Sequence, residues 1–138
     1  LPRIKALQEN LEKETPVNLY SQPFDTQDLK SAVKDSRLLV NATSVGMSPH
    51  TDDCLIEDTS IFHTHLAVAD IIYNPWETTL RAKAKPKGDK AFNGYSMLLY
   101  QGAEAFRIWT GKEMPITLVK RTLKTIVLFL YICFTETD

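Results

Sequence analysis

The reading of the fold turns on Leu38-Leu39-Val40-Asn41-Ala42-Thr43-Ser44-Val45-Gly46-Met47. Three consecutive large apolar residues read as a buried strand, and the run then breaks into small polar residues and a glycine. In an open parallel α/β sheet, ligands bind in the crevice outside the carboxyl ends of the strands. A strand ending in Asn-Ala-Thr-Ser-x-Gly offers hydroxyls, an amide and closely approachable backbone at that place. The same residues also suit an ordinary strand-to-loop turn, because Asn, Ser and Gly are turn formers. Taken alone, the stretch leaves both readings open.

Upstream, Ile4, Leu7 and Leu11 recur at helical spacing between Arg3 and Glu14, and Pro16 closes that helix. Val17-Asn18-Leu19-Tyr20 is a short strand candidate, and Asp25 or Thr26 can cap a second helix running through Val33. Downstream, a polar loop, Ser48 to Asp53, precedes Leu66-Ala67-Val68-Ala69-Asp70-Ile71-Ile72-Tyr73. This run is almost continuously apolar, as strands of parallel sheets are. It stops at Asn74-Pro75, where Asn74 is expected to cap a helix with Pro75 at its first position and Glu77 completing a capping box. That helix spans Glu77 to Lys85 and ends at Pro86 and Gly88. A brief strand at Lys90-Ala91-Phe92 closes in Asn93-Gly94. The next helix runs from Ser96 to Thr110, with Leu98 or Leu99, Phe106 and Trp109 on its core face and Gly111 as its stop. Pro115 opens a last helix containing Ile116, Val119, Leu123 and Ile126. Strands alternating with helices after residue 37 imply right-handed crossovers and a parallel α/β layer.

The 138 residues suit one domain or a large part of one. A net charge of -1 removes any electrostatic case for nucleic acid or an anionic membrane surface as partner. Cys54 and Cys133 form no CxxC or zinc-like cluster, so a reducing, cytoplasmic setting is expected and a metal is not. If extended, His63-Thr64-His65 would put two imidazoles on one strand face, although a solvated loop is the more ordinary reading. The apolar run Ile126 to Phe134 is too short for a bilayer, which needs about 20 residues. The N-terminus lacks both a signal peptide's apolar core and an initiator methionine, which points to a chain cut from something longer.

Three stretches then fall in order at strand or helix ends: Asn41 to Met47; Asp70-Ile71-Ile72-Tyr73-Asn74-Pro75; and Asn93-Gly94-Tyr95-Ser96-Met97-Leu98-Leu99-Tyr100-Gln101-Gly102, continuing to Trp109-Thr110-Gly111. Together they resemble the C-terminal part of the shikimate and quinate/shikimate dehydrogenases, over roughly Arg3 to Lys124. The resemblance implies an α/β fold, a partial Rossmann-like three-layer parallel sheet, and hydride transfer between NADP or NAD and shikimate or quinate. It implies that Thr43 and Ser44 lie near the nicotinamide half of the cofactor, in a pocket lined by Ile71, Ile72 and Asn74. Gly94 would sit against the nicotinamide amide and Met97 would form an apolar wall. Tyr73 and Gln101 would face the substrate, while Phe106 and Trp109 belong to the core. Gln101 could equally be a solvated residue on a polar helix edge with Glu104 and Arg107.

Departures from the family carry as much information. The glycines stand at 46, 88, 94, 102 and 111, no two in a GxG, so the sheet lacks the glycine-rich phosphate turn. Its first two strands are missing as well. So is the N-terminal substrate domain that in the family supplies the proton-shuttling lysine and aspartate, and no catalytic residue is assigned here. In the order 3-2-1-4-5-6, Val17 to Tyr20 resembles strand 3, and the Leu38, Leu66 and Lys90 strands resemble 4, 5 and 6. Residues 1–36, a remnant of the first Rossmann half, are therefore expected to pack loosely or to pair wrongly with the Leu38 strand. Residues 37–124 would be the C-terminal half of the cofactor domain, and 125–138 an atypical apolar tail. The Leu38 strand is left with an exposed edge open to self-association. Ser96 replaces a glycine usual in the family and could cap its helix. Such a chain is expected to be inactive alone, or to serve as a non-catalytic interaction module.

Overall fold

Strands β1 (Leu38–Asn41), β2 (Ala67–Asp70) and β3 (Ala91–Phe92) form one parallel sheet in the order β1-β2-β3. Leu38 pairs with Ala67 and Asn41 with Asp70, and Val68 pairs with Ala91 across the second ladder. The computed structural model describes residues 2–87 and 90–123. Gly88, Cys133, Ile126 and the apolar run 126–134 lie outside the described residues. The order matches the succession expected for strands 4, 5 and 6.

Alternation along the strands sends successive side chains to opposite faces. One face carries Leu39, Val68 and Ala91 into a core with Val33 of α2 (Thr26–Lys34), Leu80 and Ala84 of α3 (Thr79–Ala84), and Ile56, Ile61, Phe62 and Leu66 of the β1–β2 connection. The other face keeps Leu38 and Val40 exposed at 56% and 49%. Parallel strands are ordinarily covered on both sides. The α/β class and the parallel sheet are as expected, but no described residue supplies the layer that would cover Leu38 and Val40.

β1 is an edge strand. α1 (Pro2–Glu14) buries none of its residues, Ile4, Leu7 and Leu11 included. Its tie to the following segment is Gln8 Nε2 donating to the Leu19 carbonyl at 2.6 Å. Residues 17–20, expected as a strand, form none. A strand exists only through a neighbour's ladder, and the two strands that would stand between this one and β1 have no counterpart among the described residues. Residues 2–20 pack loosely for the same reason, but α2, expected to be loose with them, is not: Val33 is buried in the core and Leu29 packs against it.

α2 begins at Asp25, whose carboxylate accepts from the N–H groups of Gln27 and Asp28 at 3.0 and 2.9 Å. α3 corrects the expected cap. Asn74 and Pro75 lie in a turn, and Thr78 is the N-cap, its hydroxyl accepting from Arg81 N. The hydroxyl also donates to buried Asp70, and that contact sets the helix start. A 3-10 turn at Lys85–Lys87 closes the helix where Pro86 has no N–H to give. α4 (Tyr95–Thr110) starts from Gly94, so Ser96 sits inside the first turn and caps nothing. Gly111, at φ +68°, stops the helix with its N–H on the Arg107 carbonyl at 2.8 Å. Tyr95 and Leu99 are buried and Phe106 is half-buried, but Trp109 is 82% exposed and is not core. The spacing marks the apolar stripe correctly, yet the buried part of α4 is confined to its first two turns. Residues 116–123 are helical again, and Tyr95 Oη donates to the Lys120 carbonyl at 3.3 Å.

His63 and His65 lie about a turn and not on a strand, and His63 Nε2 stands 3.2 Å from the Val33 carbonyl oxygen. Among the described residues no group of His, Cys, Asp or Glu could hold a metal, and no helix is long and apolar enough to cross a membrane. Cys54 is a free thiol.

Candidate functional site

Because the sheet is parallel, all three strands end on one edge. The last residues of β1 and β2, Asn41 and Asp70, are register partners on the core face and both are buried. A buried polar group is costly unless it is hydrogen-bonded. Here the demand is met by one connected set of bonds. Asp70 Oδ1 accepts from Asn41 Nδ2 and from the Ile72 N–H, each at 3.1 Å, and Oδ2 accepts from the Thr78 hydroxyl at 2.6 Å. Asn41 Oδ1 in turn accepts from the Thr43 N–H at 3.0 Å and the Thr43 hydroxyl at 2.8 Å. The Thr43 oxygen then accepts from Val45 N at 3.2 Å.

The set extends to the neighbouring loops. Ile71 N donates to the Asn41 carbonyl at 3.1 Å, and Gly94 N donates to the Ile72 carbonyl at 2.9 Å. Ser48 N donates to the Asn74 carbonyl at 3.1 Å, which joins the loop after β1 to the turn after β2. Gly94 is needed for a steric reason: a Cβ there would stand 1.7 Å from the Ile71 carbonyl oxygen. On the far side of the turn, Arg81 is buried. Its Nη1 donates to the Trp76 carbonyl at 2.6 Å and its Nη2 reaches the Ala91 carbonyl at 3.5 Å. Trp76 and Tyr95 pack with ring centroids 5.1 Å apart and planes tilted by 58°.

The structure thus brings Thr43, Ile71, Ile72 and Gly94 into one hydrogen-bonded ledge. Thr43 has its hydroxyl proton engaged by Asn41, and one lone pair is left to meet a ligand donor. Ser44, Tyr73 and Asn74 are exposed beside the ledge in sequence. Met97 and Gln101, one turn apart on the same side of α4, are exposed too. Glu104 pairs with Arg107, whose Nε donates to it at 2.9 Å. Sequence reasoning did not assign Asn41, Asp70, Thr78 or Arg81. Asn41 and Asp70 left a signal, since each ends an apolar strand with a polar residue two places from a core residue. Thr78 left none. Two surface depressions, of about 400 and 440 Å³, lie elsewhere, at residues 115–121 and between α1 and residues 20–22.

A parallel α/β sheet with a polar, bonded ledge at its strand ends is a Rossmann-like half-sheet. Residues 94–124 match the family described as the shikimate 5'-dehydrogenase C-terminal domain. Over 95 residues, 69% of this chain, the sequence is 46% identical to a shikimate dehydrogenase (NADP(+)) of Methanosarcina mazei, of which it covers 34%. It is 41% identical over 99 residues to a quinate/shikimate dehydrogenase of Shigella flexneri serotype 5b, covering 72% of this chain and 40% of that protein. Among solved structures, the shikimate 5-dehydrogenase from Listeria monocytogenes in complex with shikimate and NAD has a TM-score of 0.65 at 38% identity, covering 70% of this chain and 34% of that one. The chain is similar to the C-terminal part of the shikimate and quinate/shikimate dehydrogenases. It spans about a third of the length of the Methanosarcina relative.

Proposed function

We infer that this chain supplies the nicotinamide-side wall of an oxidoreductase that moves a hydride between NADP or NAD and the alcohol carbon of shikimate or quinate, in the cytoplasm. The observation that carries the reading is the single hydrogen-bonded ledge joining Thr43, Ile71, Ile72 and Gly94, the ends of all three family stretches. When bound, the nicotinamide ring would donate or accept the hydride. Residues 37–124 fit this half of the cofactor. Thr43 and Ser44 would hold its polar groups. Ile71, Ile72 and Asn74 would line the ring's pocket, Gly94 would lie against its amide, and Met97 would exclude water from one side. Tyr73 and Gln101 would hydrogen-bond substrate hydroxyls.

The pyrophosphate half does not fit. No two glycines form the turn whose N–H groups would hold it. Nor does any residue here take the role of the lysine–aspartate pair that moves the accompanying proton, so the chain alone performs no turnover. The test uses the part of the cofactor that the ledge fits. Titrating the 15N-labelled chain with nicotinamide mononucleotide should shift the amides of Thr43, Ser44, Ile71, Gly94 and Met97, while adenosine 2',5'-bisphosphate leaves them in place. Shifts that avoid the strand ends would sink the reading.

A second reading is favoured by β1, which has one edge unpaired among the described residues and leaves Leu38 and Val40 exposed. In it the chain is an interaction module that associates with itself through that edge. Elution volume would then fall with rising protein concentration, and nicotinamide mononucleotide would leave every amide unmoved.

A further inference from the structure

We propose that Asp70 is a positioning residue whose carboxylate holds in register the three backbone segments on which a nicotinamide rests. The proposal depends on the nicotinamide reading above. Asp70 is 2% exposed. A position that served packing alone, in the middle of an apolar layer, would take an aliphatic side chain, because a buried carboxylate needs hydrogen bonds to offset its lost hydration. The donors that reach Asp70 come from three places in the chain: Asn41 at the end of β1, the Ile72 N–H just past β2, and Thr78 at the start of α3.

An ionised carboxylate can only accept, and that property sets the direction of every bond beyond it. Asn41 must turn its NH2 toward Asp70, so its carbonyl oxygen faces Thr43 and takes both the N–H and the hydroxyl of that residue. Thr78 must donate its proton to Asp70, which leaves its lone pairs for Arg81 N at the cap of α3. Fixing Ile72 N orients the peptide between Ile71 and Ile72. The Ile71 oxygen then lies where a Gly94 Cβ would stand, and the Ile72 oxygen accepts from Gly94 N. A shift of the Asp70 carboxylate is therefore felt at Thr43, at Ile72 and at Gly94, and at no point of the ladder nearer the strand starts.

Asp70→Asn tests this directional role with little change in volume. One of its two positions must now carry an NH2 group. Placed at Oδ1 it would face two donors, so it points at Thr78 and turns that hydroxyl away. The oxygen left at Oδ1 still accepts from Asn41 and Ile72 but without charge, so in the 15N-labelled chain amide exchange at Thr43, Ile72 and Gly94 should rise about tenfold, the difference between a charged and a neutral acceptor. The amides of Ala67 and Val68, bonded to the Arg37 and Lys90 carbonyls, should keep their wild-type rates. Thr78→Val should reproduce the pattern in weaker form, and Thr78→Ser should restore wild-type exchange. Nicotinamide mononucleotide affinity should fall in the same order. A uniform rise that includes Ala67 and Val68 would reduce Asp70 to an ordinary structural residue and overturn the proposal. So would unchanged exchange at Thr43 and Gly94, or a Thr78→Ser variant indistinguishable from Thr78→Val. If Asp70→Asn fails to fold, the Thr78 pair decides the question alone. The selective exchange pattern without nucleotide binding by the wild type would overturn the nicotinamide reading while upholding the directional role of Asp70.

Discussion

Replacing Gly94 by alanine is the sharpest test of how the ledge is built. The new Cβ would stand 1.7 Å from the Ile71 carbonyl oxygen and 2.3 Å from its carbon, both backbone atoms that no rotamer can move aside. Since carbon and oxygen in ordinary contact sit about 3.3 Å apart, the β2 and α4 segments must separate by about 1.6 Å. That movement carries the Gly94 N–Ile72 O bond, now 2.9 Å, beyond hydrogen-bonding range. Overpacking costs about 1–3 kcal/mol and the lost bond about 0.5–1.5 kcal/mol, so a loss of about 1.5–4.5 kcal/mol is expected. Set against a typical total of about 5–15 kcal/mol, this lowers Tm by about 5–15 °C. Urea unfolding followed by tryptophan fluorescence suits the measurement, because the Trp76 ring packs on Tyr95, next to the altered residue. Gly102→Ala is the control. It lies in exposed helix with nothing within 4 Å of its Cβ, and it should gain about 0.5–1 kcal/mol. A Gly94→Ala loss below about 1 kcal/mol, with an unaltered denaturant slope, would refute the steric argument.

Three further outcomes follow from the packing and the charges. Leu80→Ala empties a core position and should cost about 2–5 kcal/mol, whereas Trp109→Ala should change stability by less than about 0.5 kcal/mol in the same urea series. Asp58 is held below the usual carboxylate range by hydrogen bonds from Ser60 and then by Lys30. The tie between α2 and the 3-10 turn should therefore be intact above that range and be lost as pH falls through the lowered value. Asp58→Asn should flatten this acid limb in a CD-monitored titration. Val40→Lys puts a charge on the open strand edge and should abolish any concentration-dependent association seen by light scattering.

β1, β2 and β3 were legible from their apolar runs and polar stops, and the two long helices and the caps at Asp25 and Gly111 because each depends on neighbours in sequence. What a residue meets across the fold was not. Trp109 has the spacing of a core residue, but periodicity cannot say whether anything lies opposite it. Val17 to Tyr20 has the composition of a strand and lacks the ladder that would make it one. Asn74-Pro75-x-Glu77 has the form of a helix start, yet Thr78 wins because a carboxylate eight residues earlier in the chain accepts its proton. Gly94 was recognisable as a place of close approach, but the approaching atom is the protein's own Ile71 oxygen. Asp70 stood in plain view as part of a family stretch, and its role appeared only when Asn41 was seen beside it.

The ladder between β2 and β3 is two residue pairs long, against four between β1 and β2, and Arg81 and Asn93, both donating to the Trp76 carbonyl, tie β3 and its end to the turn before α3. The ledge therefore spans a seam between a firmer half, with Thr43 and Ile72, and a weaker half, with Gly94, Met97 and Gln101. Partial opening of a fold begins where the fewest bonds must break, so β3 and α4 should detach as one unit before β1 and β2 part. A molecule touching both halves would close that seam, and its affinity would carry the free energy of the closure within it. The strand ends are thus both the place where a ligand would rest and the place where one would do most to hold the protein together.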